Sequence, residues 1–126
     1  MALEELRQSP MMAHLIDSLD RGEDIGHYGR LTLIMVGRHF MSEEELLSQL
    51  MKDKDCDEEK ARSLIAQVLA RDYNPPKRER ILEWMGQQDF PICEDPDNPG
   101  NCNVYRNLKF PQEVYEKISS FYQNNN

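Results

Sequence analysis

Apolar residues recur at helical spacing along almost the whole chain. Met12, Leu15, Ile16 and Leu19 share one face of a helix opened by Ser9-Pro10 and ending near Gly22; Ser suits the N-cap and Pro the first turn. From Ile25 to Phe40 the apolar residues Leu31, Leu33, Ile34, Met35 and Val36 run almost all the way round. A helix hydrophobic on every side is covered by others, so this segment is expected at the centre; a strand over 31–36 is the alternative, but its flanks carry no turn signals. Ser42-Glu43-Glu44-Glu45 has the form of a capping box, followed by Leu46, Leu47 and Leu50 facing inward as far as Lys52. Asp57 caps a further helix whose Ala61, Leu64, Ile65, Val68 and Leu69 follow the i, i+3, i+4, i+7, i+8 rule, and Tyr73-Asn74-Pro75-Pro76 stops it, because residues before Pro avoid helical dihedrals. Lys77 to Gln88 carries Ile81, Trp84 and Met85 at helical spacing. Residues 89–110 hold Pro91, Pro96, Pro99 and Gly100 and read as a long irregular loop, of the kind usually functional or tied down. Pro111 opens a last helix with Val114, Ile118 and Phe121 inward.

A length of 126 residues suffices for one hydrophobic core and is short for two. The prediction is therefore a single compact all-α domain of about five to six helices over residues 1–122, with the Cys- and Pro-containing loop before its last helix and a frayed polar tail over 123–126. No apolar run approaches the roughly eighteen residues of a membrane span. Met1 to Glu5 lacks the basic and apolar regions of a secretory signal. Three cysteines at irregular spacing, one necessarily unpaired, argue against a secreted disulfide framework. The expectation is a soluble cytoplasmic domain with no membrane partner.

The net charge of −8, from 15 basic and 23 acidic residues, weighs against a generic nucleic-acid coat. Its distribution changes that picture. Eight acids and two bases lie between Glu43 and Glu59, so this window alone carries −6 and the other 109 residues only −2. Bases gather at Arg30, Arg38 and His39 and again at Arg71, Lys77, Arg78 and Arg80, leaving room for a local positive surface.

Candidate chemistry is sparse. No motif sets a nucleophile beside a base, and there is no glycine-rich phosphate loop, HExxH or CxxC. The acidic run Asp53 to Glu59 lacks the central Gly of a calcium loop and has Leu64 where the twelfth-position ligand belongs, so it reads as a turn and N-cap. Cys93 and Cys102 have a spacing that metal-bound loops use, but two thiolates do not complete a four-coordinate site; they read either as ordinary loop cysteines or, with a His, as a metal site. His27, Arg30, Ile34 and Arg38 follow i, i+3, i+7, i+11 on one helical face near a helix start. That face could hold a phosphate through Arg and helix-terminus donors, or its Arg could simply bridge to a loop.

The order of these features resembles the C-terminal domain of the large subunit of archaeal and eukaryotic DNA primase. The resemblance runs collinearly over about residues 9–110, through Ser9-Pro10-Met11, His27-Tyr28-Gly29-Arg30, Ser42-Glu43-Glu44-Glu45, Asp57-Glu58-Glu59-Lys60-Ala61-Arg62, Asp72-Tyr73-Asn74-Pro75-Pro76 and Phe90-Pro91-Ile92-Cys93 with Cys102. It implies a helical fold that contacts template and the 5′-triphosphate end of an initiating nucleotide or primer, with His27, Arg30 and Arg62 at the nucleic-acid surface and Cys93 and Cys102 as the last two ligands of a four-iron four-sulfur cluster. Met11 and Arg78 (or Lys77) stand where the first two ligands are expected. Two thiolates cannot hold a cubane, so the implied form is degenerate and cluster-free, with no metal and no cofactor, and Arg78 pairs with the acids of the 94–97 loop.

The resulting expectation is a non-catalytic accessory module of a primase or primase-polymerase system. It would bind single-stranded template, primer–template or a 5′-triphosphate end with His27, Arg30, Arg38, Arg62, Arg78 and Arg80, its partner being the primase catalytic subunit. The alternative is an acidic helical protein-interaction module using the 43–59 face.

Overall fold

The computed structural model describes the backbone of residues 2–124 and the side chains of residues 3–118. Among the described residues there are eight helices and no strand. In chain order they are α1 (Ala2–Leu6), α2 (Pro10–Asp20), α3 (Gly26–Gly37), α4 (Glu43–Leu50), α5 (Glu58–Arg71), α6 (Arg78–Met85), α7 (Val104–Asn107) and α8 (Gln112–Asn124). The six longer helices are those the apolar spacing predicts. The two short ones are additions: α1 ahead of Ser9, and α7 as a single turn inside the segment expected to be irregular throughout. Of the expected frayed tail, Gln123 and Asn124 continue α8, and residues 125 and 126 lie outside the described residues, as does the side chain of Phe121.

Local chemistry sets the helix starts. The Ser9 hydroxyl accepts from the Met12 N–H at 3.3 Å and Pro10 occupies the first turn. Ser42 and Glu45 exchange both bonds of the capping box, at 3.2 and 3.0 Å. The Asp57 carboxylate accepts from Lys60 N–H at 2.9 Å. Each cap satisfies donors that the helix itself leaves open. Asp72 ends α5 in the left-handed conformation (φ 51°), held there by Arg38 and Lys117 on its two carboxylate oxygens.

The core forms around α3. Residues Gly29 to Gly37 are all buried, and α3 packs against α2, α4 and α5. Its all-round hydrophobicity is satisfied by Leu15, Ile16 and Leu19 of α2, Leu46 and Leu50 of α4 and Ile65 and Val68 of α5. Gly26 opens α3 with φ 78°, and a Cβ there would fall 2.5 Å from the Gln88 side chain. A glycine is needed on both counts, because Gln88 enters at this point to bind the helix start.

Residues 89–103 are tied down at several points. His14 of α2 stacks on Phe90 (centroids 5.1 Å apart) and its Nε2 donates to the Pro91 carbonyl at 2.8 Å. Ile92, Cys93 and Cys102 are fully buried. The expectation for the cysteines requires correction: Cys93 and Cys102 are neither free loop thiols nor ligands but form a disulfide, with Cα atoms 5.5 Å apart. Turns closed by Asn98 N–H on Asp95 O and Asn101 N–H on Asn98 O bring the two ends of the loop together. The unpaired cysteine is Cys56, buried beside the α5 cap, where burial pushes its thiol above the ordinary value.

Candidate functional site

The helical face of His27, Arg30, Ile34 and Arg38 is not a single surface. Arg30 is 3% exposed. Its Nη1 donates to Asp53 Oδ2 at 2.9 Å and to Asp24 Oδ1 at 3.2 Å. Asp53 also accepts from the Ile25 and Asp55 N–H groups at 3.0 and 2.7 Å, and Asp24 accepts from Gly26 N–H at 2.8 Å. Gln88 Oε1 takes the Tyr28 N–H at 2.9 Å. The Ile25, Gly26 and Tyr28 N–H groups at the start of α3 are thus taken by the protein's own side chains, and the guanidinium is enclosed with two carboxylates. The Gly26 N–H bond and Arg30 hold the Asp24 carboxyl below the usual range.

The other basic residues divide by position. Arg38 donates to Asp72 Oδ1 at 2.7 Å and to the Tyr73 carbonyl at 3.0 Å; its bonds fix the chain after α5, and the Lys117 and Arg38 bonds lower the Asp72 carboxyl. Arg62 is exposed on α5, 2.8 Å from Glu58 and 3.8 Å from Glu44. Arg78 reaches the loop as expected, but its Nη2 donates to the Pro96 carbonyl at 2.8 Å instead of to a carboxylate. Met11 is fully buried in the first turn of α2. Arg80 is exposed, with its guanidinium carbon 6.0 Å from the Trp84 ring centre.

Arg80 belongs to a groove of about 600 Å³ that opens between α3, α6 and the chain joining α5 to α6. Leu31 and Met35 of α3 line it together with Pro75 and Pro76. Half-buried Tyr73 and Tyr105 supply aromatic walls, Trp84 meets the groove from the core with only 9% of its surface exposed, and Lys77 and Arg80 supply cations against one lining acid, Glu79. The walls are braced from behind. Tyr28 stacks on Trp84 (5.2 Å, 20° between planes), donates from its hydroxyl to Gln87 Oε1 at 2.9 Å, and carries the exposed His27 ring edge-on at 5.1 Å. The Tyr105 hydroxyl donates to the Pro75 carbonyl at 2.5 Å, and burial pushes that phenol far above its ordinary range. Desolvation, then Arg30 and Lys60, lower the His27 imidazole.

Of the predicted site residues, the fold therefore places Arg80 in this groove, sets His27 at the end of the ring stack behind it, and uses Arg38 to hold one of its walls. Arg30, Arg62 and Arg78 do not line it. Tyr28, Tyr73 and Tyr105 are functional candidates that the apolar spacing alone does not mark, while Trp84 is buried as its helical spacing predicts and also meets the groove. The Arg80–Trp84 spacing of four on one helix was the available signal; Tyr105 has none, since its partner Pro75 is thirty residues away. Among the described residues, no group of three His, Cys, Asp or Glu side chains is placed to hold a metal, and the disulfide removes Cys93 and Cys102 as thiolate donors. No helix among them is long and apolar enough to cross a membrane. No family model, curated protein or solved structure matches the chain.

Proposed function

We propose that the chain is a non-catalytic helical module that binds single-stranded nucleic acid or a 5′-triphosphate end, in the service of a primase or primase-polymerase whose catalytic subunit carries out phosphoryl transfer. One observation carries the binding reading: an acidic protein keeps a groove walled by Tyr73, Trp84 and Tyr105 and edged by Lys77 and Arg80. Aromatic faces stack bases without regard to sequence, at about 1–3 kcal/mol per base, while cations track the phosphates. The order of motifs, which resembles that of the primase large subunit, is what points the reading to priming. The proposed contact set is Lys77, Arg80 and the three aromatic residues, with His27 beside them; Arg30 serves the framework.

Trp84 is the chain's single tryptophan, so its emission reports on the groove. A fluorescent primer–template hybrid with a 5′-triphosphate, compared with its 5′-hydroxyl counterpart in low salt, is expected to quench Trp84 and to weaken with salt at a log–log slope of about 1.4 for two single-strand phosphate contacts. Arg80→Ala should reduce that slope by about half. Preference for the triphosphate supports priming; absence of binding to either hybrid sinks the proposal.

A second reading, docking of a basic protein on the acidic 43–59 face, is favoured by Met51, which is 46% exposed at the end of α4 inside that face. A basic peptide that binds without quenching Trp84 would select it.

A further inference from the structure

We infer that the groove is half of a longer track, which passes over Tyr105 into a second recess and there takes further phosphates and a base of the same single strand. This inference rests on the reading of the groove as a nucleic-acid site.

The second recess has a volume of about 530 Å³, and Tyr105 lines both cavities. Its other aromatic walls are Phe40 and Tyr115. All three rings pack on Phe110, which is itself buried, with centroids 5.3 Å (Tyr105), 5.6 Å (Phe40) and 6.5 Å (Tyr115) away. The Phe110 N–H donates to the Tyr115 hydroxyl at 3.1 Å, and Tyr105 is bound to Pro75. The rings are therefore held in place before any ligand arrives. Tyr115 nevertheless stays 37% exposed, one of two large hydrophobic residues left so open among the described residues.

Arg106 and Lys109 stand at the same recess, both exposed. Acids outnumber bases by 23 to 15 in this chain, and most other arginines have a carboxylate within 4.0 Å. Neither Arg106 nor Lys109 has such a partner among the described residues. Glu5 is the one acid lining the recess.

The composition of the first groove is thus repeated: rings held from behind, two cations, one acid, and a shared tyrosine between the two. An isolated small anion would need only one such unit. A ligand matching both must repeat a flat apolar group and a negative charge along its length, which is the chemistry of a single-stranded nucleic acid. A purely apolar peptide would leave Arg106 and Lys109 without partners.

The test compares the 126-residue chain with its Arg106→Ala/Lys109→Ala variant. Both positions are exposed, and an unchanged far-UV circular dichroism spectrum verifies the fold. Labelled oligothymidylates of about three and about ten nucleotides are titrated, reading Trp84 quenching for the first groove and anisotropy for total binding. Expected for the wild type is a gain of about tenfold with length, the effect of roughly one further stacked base. The variant should keep the short-oligonucleotide affinity, lose most of that gain, and show a salt slope lower by about 1.4. A length gain that persists in the variant, or no gain in the wild type, overturns the track and leaves the first groove standing. Absence of Trp84 quenching by any oligonucleotide overturns both. Equal competition by inorganic polyphosphate of matched charge overturns the role of the rings.

Discussion

Asp53→Asn tests whether Arg30 belongs to the framework. The Asp53 side chain has no solvent exposure, and it joins two groups distant in sequence, the Arg30 guanidinium and the Ile25 N–H at the start of α3, to the local Asp55 N–H ahead of α5. The amide keeps one acceptor oxygen but sets an NH₂ donor against groups that are themselves donors, and Arg30 keeps only Asp24 at 3.2 Å as a close partner. Removing one member of a buried ion pair costs about 3–5 kcal/mol. Asp24 is partly solvated and still near, so the lower end, about 3 kcal/mol, is expected here. That is a large share of the roughly 5–15 kcal/mol available to a domain. With a urea slope of about 2 kcal/mol per molar, the unfolding midpoint should fall by roughly 1.5 M.

The assay is urea unfolding followed by Trp84 emission and far-UV circular dichroism, in a cycle of Asp53→Asn, Arg30→Met and the double variant. The double variant removes both charges and leaves neither one buried alone, so it should recover at least half of the loss summed over the two single variants. It should also bind oligonucleotide as the wild type does, because Arg30 makes no contact with the groove. A loss below about 1 kcal/mol in Asp53→Asn, or simple additivity in the cycle, would refute the reasoning. Oligonucleotide binding abolished in a folded double variant would return Arg30 to the binding surface.

Two further outcomes are expected. The disulfide closes a loop with a sequence separation of nine, for which chain entropy gives about 2–3 kcal/mol; the Cys93→Ser/Cys102→Ser variant should unfold at correspondingly lower urea, and an unchanged midpoint would show that the tie at Arg78 and Pro96 suffices. Burial, with Arg38 next in importance, lowers the His39 imidazole below its ordinary value, and its buried Nε2 has no hydrogen-bond acceptor. The unfolded chain then binds the proton more readily than the folded one, so stability is present above about pH 6.5 and falls as the pH drops below it; His39→Gln should flatten this dependence in urea midpoints taken at about pH 7.5 and 5.5, and an unaltered profile would contradict it.

Helix positions were legible in the sequence because their causes are local. Ser9, Ser42 and Asp57 cap the next turn three residues on, and Ala61, Leu64, Ile65 and Val68 meet on one face by the helical repeat alone. The all-round apolar run of α3 likewise implied a central place, since such a surface has no stable arrangement except among other helices. The proposed binding surface was legible only in part. Charge type marked Arg30, Arg38, Arg62, Arg78 and Arg80 alike, although the fold buries one against the carboxylate of Asp53, sets two against loop carbonyls, one on an exposed helix face and one beside an indole ring.

Those assignments depend on pairs far apart in the chain: Arg30 with Asp53, Tyr28 with Gln88, Tyr105 with Pro75, Arg78 with Pro96. The pairing of Cys93 with Cys102, as opposed to Cys56, belongs to the same class, since it follows from how the turns of the loop fold back. Periodicity and capping therefore determine which residues are helical and which face inward. Whether a cation is enclosed or presented, and whether an aromatic ring packs in the core or walls a groove, follows from the approach of distant segments, because burial and electrostatic partnership are properties of the assembled packing.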